Sequence, residues 1–329
     1  MSIENSEDII NPDIEIKPPV GFLNGLILAI ISGIFYWLAF PVIDIWFLTF
    51  ICWVPLIIAI KGQTSKNALF LGWATGITCN ILGFYWLYGT IRYFGNFPFI
   101  VTILFMLIIC SYQGARMGFM AWLYSRAEKK GWPFGISFVF ALIASEIVYP
   151  LLFPWYTATH IHSVPVFMQL ADIGGPVIIS ALLAGTSIAV AEFILSKKEK
   201  RKINKLRFLA GISTPLILLT YGIIRIPQIE KAIETFPSGK VGLVQGNREM
   251  IGDNADEGLK KYREASYELE KKNSPDFIVW PEGAIRFLLN EKVIKNFFIT
   301  DIFKKNHYYG NFDINTPIIS GTILEKKEK

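Results

Sequence analysis

The segment DFIVWPEGAI, residues 276–285, is a short apolar run that stops at an acid. Apolar runs of this length, bounded by turn residues, are typical of buried β-strands. Glu282 follows the run directly, behind Trp280 and Pro281, with Gly283 after it. Because functional groups in α/β folds often lie where the strands end, Glu282 is a candidate functional residue at the end of a central strand.

Further strands and helices are predicted on both sides of this segment. GKVGLVQGN (239–247) and TPIIS (316–320) are apolar runs ended by glycine or asparagine, and both predict strands. Residues 254–272 have the pattern of an amphipathic helix, and residues 288–305 also look helical. Apolar strands that alternate with helices predict a sheet covered by helices. We therefore expect an α/β domain over residues 226–329.

The preceding part of the chain is far more apolar. The sequence is 52% hydrophobic with a mean hydropathy of +0.41, too apolar for an ordinary soluble protein, and residues 21–225 are almost continuously apolar. A membrane-spanning helix needs about 20 mostly apolar residues. We predict an α-helical transmembrane bundle of about seven helices, after a disordered cytoplasmic leader over residues 1–20. The predicted spans are 21–39, 45–60, 68–88, 98–124, 133–150, 172–195 and 207–225.

Basic residues alternate between the loops that join these spans. Loops 61–67, 125–131 and 197–207 hold 2, 3 and 7 Lys or Arg, whereas the intervening loops hold one Arg in total. Lys and Arg mark the cytoplasmic side of a membrane. The pattern predicts a multi-pass protein with a cytoplasmic N-terminus and places residues 226–329 outside the cytoplasm.

Composition argues against several other classes of protein. No basic patch interleaved with aromatic residues suggests nucleic-acid binding, and Cys52, Cys79 and Cys110 all lie in apolar segments, which argues against a disulfide framework. The Gly174-Gly175-Pro176 segment opens the predicted sixth helix and lacks the Lys-Ser/Thr ending of a phosphate loop. We expect no cofactor, no bound metal, no nucleic-acid partner and a monomeric chain. The absence of inverted repeats with broken helices argues against a transporter.

Two candidate sites each have a functional and a structural interpretation. Glu282 is either a general base, partly withdrawn from water, or a structural acid that caps a turn or pairs with a cation. Trp155 and Tyr156, in the outer loop FPWYTATHIHS (153–163), either help to hold a lipid substrate or form an ordinary interfacial aromatic belt. His160 and His162 are predicted to be solvated loop residues, because a metal site would need a third ligand.

Arg116 and Glu146 are charged residues inside predicted spans, where charges are costly and often functional. Arg116 lies about 12 Å from the predicted inner end of its helix and Glu146 about 20 Å from that of the next helix, by the rise of 1.5 Å per residue. The offset makes a direct pair possible but does not favour it. We expect Arg116 to extend to the cytoplasmic headgroups and Glu146 to support the FPW loop through a hydrogen bond.

Several motifs follow one another in order along the chain. The apolar part carries GFYWLY at 83–88, LFPWYTATHI at 152–161 and LADIGGPVIISALL at 170–183, and the polar part carries KVGLVQGN at 240–247 before DFIVWPEGAI. In this order the motifs resemble those of the apolipoprotein N-acyltransferases, the enzymes of the last step of bacterial lipoprotein maturation. The resemblance covers nearly the whole chain.

The resemblance implies a transmembrane helical bundle followed by the first part of a nitrilase-like α/β sandwich domain, in the bacterial inner membrane. It implies that Glu282 belongs to a Glu–Lys–Cys triad and takes the proton from the cysteine thiol. The thiolate would attack a membrane phospholipid to form a thioester. The acyl chain would then pass to the N-terminal amine of the diacylglyceryl-cysteine of an apolipoprotein.

The sequence departs from the family where the triad is concerned. The triad Lys and Cys would lie beyond residue 329, and no cysteine follows Cys110. The chain is therefore expected to be a C-terminally truncated member that is inactive alone. The alternative is a catalytically inactive membrane scaffold or binding protein derived from that family.

Overall fold

The computed structural model describes residues 17–247, 255–285, 289–290, 314–321 and 324–325. Most of the predicted leader, residues 1–16, lies outside the described residues. The chain divides into two compact units, Met1–Ile233 and Glu234–Lys329. The predicted domain boundary after residue 225 falls inside the last helix of the first unit.

The first unit is helical. Its buried core joins aromatic residues to small residues from several helices, with Tyr36, Trp53, Tyr124 and Phe138 among its largest fully buried side chains. The described α-helices of this unit are α1 (Phe22–Leu38), α2 (Val54–Ile60), α3 (Ser65–Gly83), α4 (Leu87–Gly95), α5 (Phe99–Lys129), α6 (Phe134–Val148), α7 (Pro165–Met168), α8 (Ala171–Lys198), α9 (Lys205–Ile212) and α10 (Thr214–Ile233). Two 3-10 helices, Trp46–Phe50 and Thr157–Ile161, complete it.

Helices α3 and α5 touch backbone to backbone at glycines. Gly72 and Gly76 on α3 face α5, where Gly114 and Gly118 have the same spacing of four residues. A Cβ on Gly114 would lie 2.6 Å from the carbonyl carbon of Gly76, so no larger residue fits. Pairs of small residues four apart let membrane helices approach closely. This contact fixes the position of α5, which carries Arg116.

Fewer helices than predicted meet the requirements for a membrane span. In the described part of the chain, α5 and α8 are each long and apolar enough, and the count reaches four if the bent pairs α3–α4 and α9–α10 each form one span. Shorter apolar helices cover Phe22–Leu38, Trp46–Ile60 and Phe134–Val148. The predicted number of seven spans therefore stays a prediction.

The helix boundaries differ from the predicted ones in three places. The segment 89–96 was predicted as a loop but is mostly helix α4, which meets α3 at an angle of 67°. Helix α5 continues to Lys129, five residues beyond its predicted end. Helix α8 begins at Ala171, before the Gly174-Gly175 pair, and these two glycines break its regular geometry.

The second unit contains a small parallel sheet. Strands β1 (Val241–Leu243), β2 (Phe277–Val279) and β4 (Ile318–Ile319) pair in the order β1-β2-β4, with β2 in the centre. Helix α11 (Ala255–Asn273) joins β1 to β2 and covers one face of the sheet. The Trp280 ring packs 5.4 Å from that of Tyr262 on α11, and its Nε1 donates a hydrogen bond of 2.9 Å to Ser266 Oγ.

The predicted strands and the first predicted helix of this unit are present. The helix predicted over 288–305 is wrong at its start, because Leu289–Asn290 forms strand β3 and pairs in parallel with β5 (Leu324–Glu325). Its residues 291–305 lie outside the described residues. A mostly helical unit and a small parallel sheet agree with the coarse fold prediction.

Candidate functional site

Glu282 lies in a tight turn directly after the central strand. The Ala284 N–H donates to the Pro281 carbonyl at 3.2 Å and closes the turn, with Glu282 and Gly283 in its middle. Gly283 has a φ of 75°, a backbone conformation that residues other than glycine rarely adopt. The turn therefore requires glycine at this position and presents Glu282 beside it.

The end of strand β4 lies against the same turn. The Trp280 N–H donates to the Ile319 carbonyl at 2.9 Å, which joins the ends of β2 and β4. A Cβ on Gly321 would lie 3.8 Å from Glu282 Cγ. The bare backbone of Gly321 therefore lies next to the Glu282 side chain. Glu282 thus occupies the carboxyl edge of the parallel sheet, as predicted. Its side chain is exposed, so the expected partial withdrawal from water is not observed.

In the first unit, the FPW loop packs onto the bundle through its aromatic residues. The half-buried Trp155 ring stacks on Phe40, with centroids 4.4 Å apart and planes inclined by 10°. Tyr156 is also half-buried and packs with a second apolar cluster that includes Ile161 and Leu170. Both residues therefore have structural contacts in addition to any contact with lipid.

A buried polar cluster, formed by Tyr36, Arg116, Glu146, Thr157 and His160, lies beneath this loop. Arg116 Nη1 is 3.5 Å from Glu146 Oε1, and Nη2 donates to the Tyr36 hydroxyl at 3.3 Å. Glu146 Oε1 accepts a hydrogen bond of 2.8 Å from the Thr157 N–H. The cluster thus connects helices α1, α5 and α6 to the loop.

The structure corrects two expectations about these residues and confirms a third. Arg116 is buried and paired with Glu146, so the prediction that it extends to the headgroups is wrong. His160 is fully buried and was wrongly predicted to be solvated, whereas His162 is exposed. The predicted hydrogen bond between Glu146 and the FPW loop is confirmed, since the Thr157 N–H donates to the Glu146 carboxylate.

His160 is held among aromatic rings. Its centroid lies 4.2 Å from that of Tyr36 and 5.3 Å from that of Phe40, and its Nε2 accepts a hydrogen bond of 3.4 Å from Trp155 Nε1. Burial lowers the pKa of the His160 imidazole to about 3, and the positive charge of Arg116 acts in the same direction. The imidazole is therefore neutral at physiological pH. No group of three His, Cys, Asp or Glu side chains could hold a metal within the described residues.

Comparison with known proteins connects this bundle to a family. A profile of the apolipoprotein N-acyltransferase N-terminal domain matches residues 32–189. An apolipoprotein N-acyltransferase of Geobacter metallireducens is 27% identical over 295 residues, 85% of this chain and 54% of that protein. That of Vibrio vulnificus is 26% identical over 270 residues, which cover 75% of this chain and 48% of the relative. The apolipoprotein N-acyltransferase 2 of Leptospira interrogans is 28% identical over 294 residues, which cover 79% of this chain and 47% of that protein.

Residues 32–189 thus match the N-terminal domain of the apolipoprotein N-acyltransferases, and the chain is similar to members of that family over most of its length. It spans about half the length of the curated relatives that it matches. The segment that matches the apolipoprotein N-acyltransferase N-terminal domain contains the whole buried polar cluster and both aromatic candidates, Trp155 and Tyr156. Glu282 lies outside that segment, so its role in an apolipoprotein N-acyltransferase remains a prediction.

Sequence reasoning missed two parts of this helical bundle. Tyr36 and Thr157 have no local pattern that marks them as members of the cluster, because their partners lie far away in the sequence. The paired glycines of α3 and α5 do have a signal, since each helix contains a GxxxG motif. That signal could have predicted the close contact of the two helices.

Proposed function

We propose that this chain provides the membrane domain and part of the catalytic domain of an apolipoprotein N-acyltransferase. The reaction is the transfer of an acyl chain from a membrane phospholipid to the N-terminal amine of the diacylglyceryl-cysteine of an apolipoprotein. The family match over residues 32–189 carries this proposal. We further propose seven spans, a cytoplasmic N-terminus and a nitrilase-like second unit outside the cytoplasm.

Glu282 acts in this proposal as the proton acceptor for a cysteine thiol. Its place at the carboxyl edge of a parallel sheet supports the role, because a substrate can reach that edge and the turn at Gly283 holds the carboxylate there. The thiolate attacks the phospholipid ester, lysophospholipid leaves, and a thioester forms. Attack by the lipoprotein amine then releases the thiol and gives the amide.

The cysteine has to come from outside these 329 residues. Cys52, Cys79 and Cys110 are all buried in the helical unit. Burial in apolar surroundings disfavours the thiolate and makes a cysteine inert. We therefore expect membranes that hold only the 329-residue chain to give no N-acylated product.

A chimera tests the role of Glu282. The 329 residues are joined in frame to the remaining portion of the Geobacter metallireducens relative, and membranes holding the chimera are mixed with a diacylated lipopeptide. Mass spectrometry should detect the triacylated product, and Glu282→Gln should lower its rate at least about 100-fold, the typical contribution of general acid–base catalysis.

Glu268→Gln is the matched control, since Glu268 is also an exposed acid of the second unit but lies on α11. It should leave the rate unchanged. A folded chimera without product would contradict the proposed function. Product from the 329-residue chain alone would contradict the assignment of the nucleophile.

Trp155 and Tyr156 are proposed to help to hold the lipid substrate. Because Trp155 also stacks on Phe40, loss of activity in Trp155→Ala alone would not separate the two roles. Trp155→Phe keeps an aromatic ring for the stack. A raised KM for lipid with an unchanged thermal midpoint in Trp155→Phe and Tyr156→Ala would support lipid contact, and an unchanged KM in both would contradict it.

A further inference from the structure

A large groove lies between helices α6, α8 and α9 and follows α6 from Phe134 to Ile143. Its volume is about 780 Å³, within the range of about 300–1,000 Å³ that is typical of ligand pockets. The wall contributed by α6 is apolar and includes Phe134, Val139, Phe140 and Ile143. Such a wall suits an alkyl chain.

One end of the groove is charged. Arg201 lines it and forms a bidentate pair with Glu192, with an Nη1–Oε1 distance of 2.6 Å, and Glu128, also in the lining, accepts a hydrogen bond of 2.7 Å from the Tyr124 hydroxyl. Lys61 is paired with Glu199 at 3.2 Å. These charges are largely matched by partners within the protein.

Arg207 is different. It lines the same end of the groove and is exposed, and its guanidinium forms no ion pair within the part of the chain that the structure describes. Arginine binds phosphate through a planar fork of donors. The groove therefore combines an apolar wall with an unpaired guanidinium at one end, which is the chemistry of a phospholipid site.

The position of the groove along the bundle agrees with this chemistry. Its charged end is formed from the basic segments 125–131 and 197–207, which the charge pattern predicts to be cytoplasmic. Trp132 borders the groove and is 45% exposed, as is common for tryptophan at a membrane surface. The charged end of the groove is remote from the FPW loop, because Phe134 and Glu146 are about 18 Å apart along α6 at 1.5 Å per residue.

We propose that this groove binds an anionic phospholipid of the cytoplasmic leaflet, with an acyl chain against α6 and the phosphate at Arg207. Basic pockets between membrane helices on the cytoplasmic side commonly bind anionic lipid headgroups. The proposal goes beyond the proposed function, since it requires neither Glu282 nor an acyl-transfer step. A folded chimera that binds this lipid but transfers no acyl group would contradict only the proposed function.

The test uses the full chain in nanodiscs that contain equal amounts of phosphatidylglycerol and phosphatidylethanolamine with the same acyl chains. The chain is then released from the nanodiscs, and native mass spectrometry counts the lipid molecules that stay bound to it. The wild-type chain should retain phosphatidylglycerol in preference to phosphatidylethanolamine. Arg207→Glu should reduce that retention about tenfold, as expected for the loss of one charge-assisted contact.

Two further variants make the result specific. Lys205→Glu is the matched control, because Lys205 is exposed on the same helix, outside the groove lining, and its replacement changes the net charge equally. The Lys205→Glu variant should retain as much phosphatidylglycerol as the wild-type chain. Ile143→Trp fills the apolar wall and should lower retention while Arg207 remains. Thermal unfolding confirms that each variant is folded.

Several results would overturn the proposal. They are equal retention of the two lipids by the wild type, an unchanged preference in Arg207→Glu or Ile143→Trp, and an equal loss in Lys205→Glu, which would indicate diffuse surface charge. A stable dimer of the chain whose contact is abolished by Ile143→Trp would also overturn it, since a second copy would then occupy the groove.

Discussion

The Arg116 and Glu146 side chains form a buried ion pair between neighbouring helices. Removing one partner of such a pair leaves an uncompensated charge and costs about 3–5 kcal/mol. We expect Glu146→Leu to lower the free energy of unfolding by this amount, measured by denaturant titration in detergent micelles. Glu230→Gln, an exposed acid on α10, should have almost no effect.

A variant with both residues of the ion pair replaced separates the effect of the unpaired charge from the effect of packing. Arg116→Met combined with Glu146→Leu removes both charges and should be less destabilising than Glu146→Leu alone, since no buried charge then lacks a partner. If the single variant costs less than about 1 kcal/mol, the pair behaves like a surface ion pair, and its role in holding the FPW loop would be contradicted.

The buried His160 makes stability depend on pH. Its folded pKa of about 3 lies below the value of about 6.5 in the unfolded chain, so the unfolded state binds the proton first. Stability is therefore fully present above pH 6.5 and falls as the pH decreases toward 3. Between pH 7 and pH 5 the loss should be about 2 kcal/mol.

His160→Gln tests this assignment, because glutamine does not titrate in this range. Denaturant titrations at pH 7 and pH 5 should show that the difference in unfolding free energy shrinks in His160→Gln but persists in His162→Gln. His162 is the suitable control because it lies two residues away and is exposed. An unchanged pH dependence in His160→Gln would contradict the burial of a neutral imidazole.

The ion pair also shows why single residues are hard to place from sequence. Its two residues were recognised as unusual, but their depths were measured from predicted helix ends, and α5 continues to Lys129 instead of ending at residue 124. From the observed ends Arg116 is about 20 Å along α5 and Glu146 about 18 Å along α6, at 1.5 Å per residue. The two depths agree, and an error of five residues at one helix end had concealed the pairing.

At the level of elements, the contact between α3 and α5 depends on glycine. A Cβ on Gly76 would overlap the Gly114 carbonyl group. We expect Gly76→Ala to push the helices apart and to destabilise the chain by about 1–3 kcal/mol, the usual cost of overpacking. The midpoint of thermal unfolding in detergent measures the change.

Gly89→Ala is the matched control, since Gly89 is also helical but has no atom within 4 Å of a Cβ at its position. Alanine favours a helix over glycine by about 1 kcal/mol, so this variant should be neutral or slightly more stable. Equal effects of the two replacements would show that close contact between α3 and α5 is not what selects glycine at position 76.

Most elements could be predicted, whereas their ends and bends could not. Strand β2 and helix α11 were found because an apolar run and an amphipathic period are local properties. The bend of 67° between α3 and α4 escaped prediction, because both helices are apolar and hydrophobicity does not change at the break. The local pattern predicts helix at strand β3, since the pairing of β3 with β5 depends on residues more than thirty positions away.

For the whole molecule, the charge pattern predicts which segments face the cytoplasm. Single cysteines introduced at the exposed positions Lys200 and Lys271 test it with a membrane-impermeant thiol reagent. The native cysteines are all buried and should contribute little background labelling. Lys271→Cys should react in intact cells, and Lys200→Cys only after the membrane is permeabilised.

The opposite pattern would reverse the predicted orientation. Labelling at both positions in intact cells would contradict an odd number of spans between them. Either result would also move the lipid groove from the cytoplasmic to the outer leaflet. The number of spans could not be settled from sequence, since apolar segments of 15 to 17 residues are compatible with short spans and with helices buried inside a bundle.

The glycine contact between α3 and α5 limits how this protein can change shape. Where two main chains already touch, the helices cannot come closer, and no flexible side chain lies between them to absorb a displacement. Arg116 is located between the two glycines of α5, so the rigid pair also anchors the loop above it. The lipid groove is lined mainly by α6, α8 and α9, so labels on α9 should report larger distance changes on lipid binding than labels on α5.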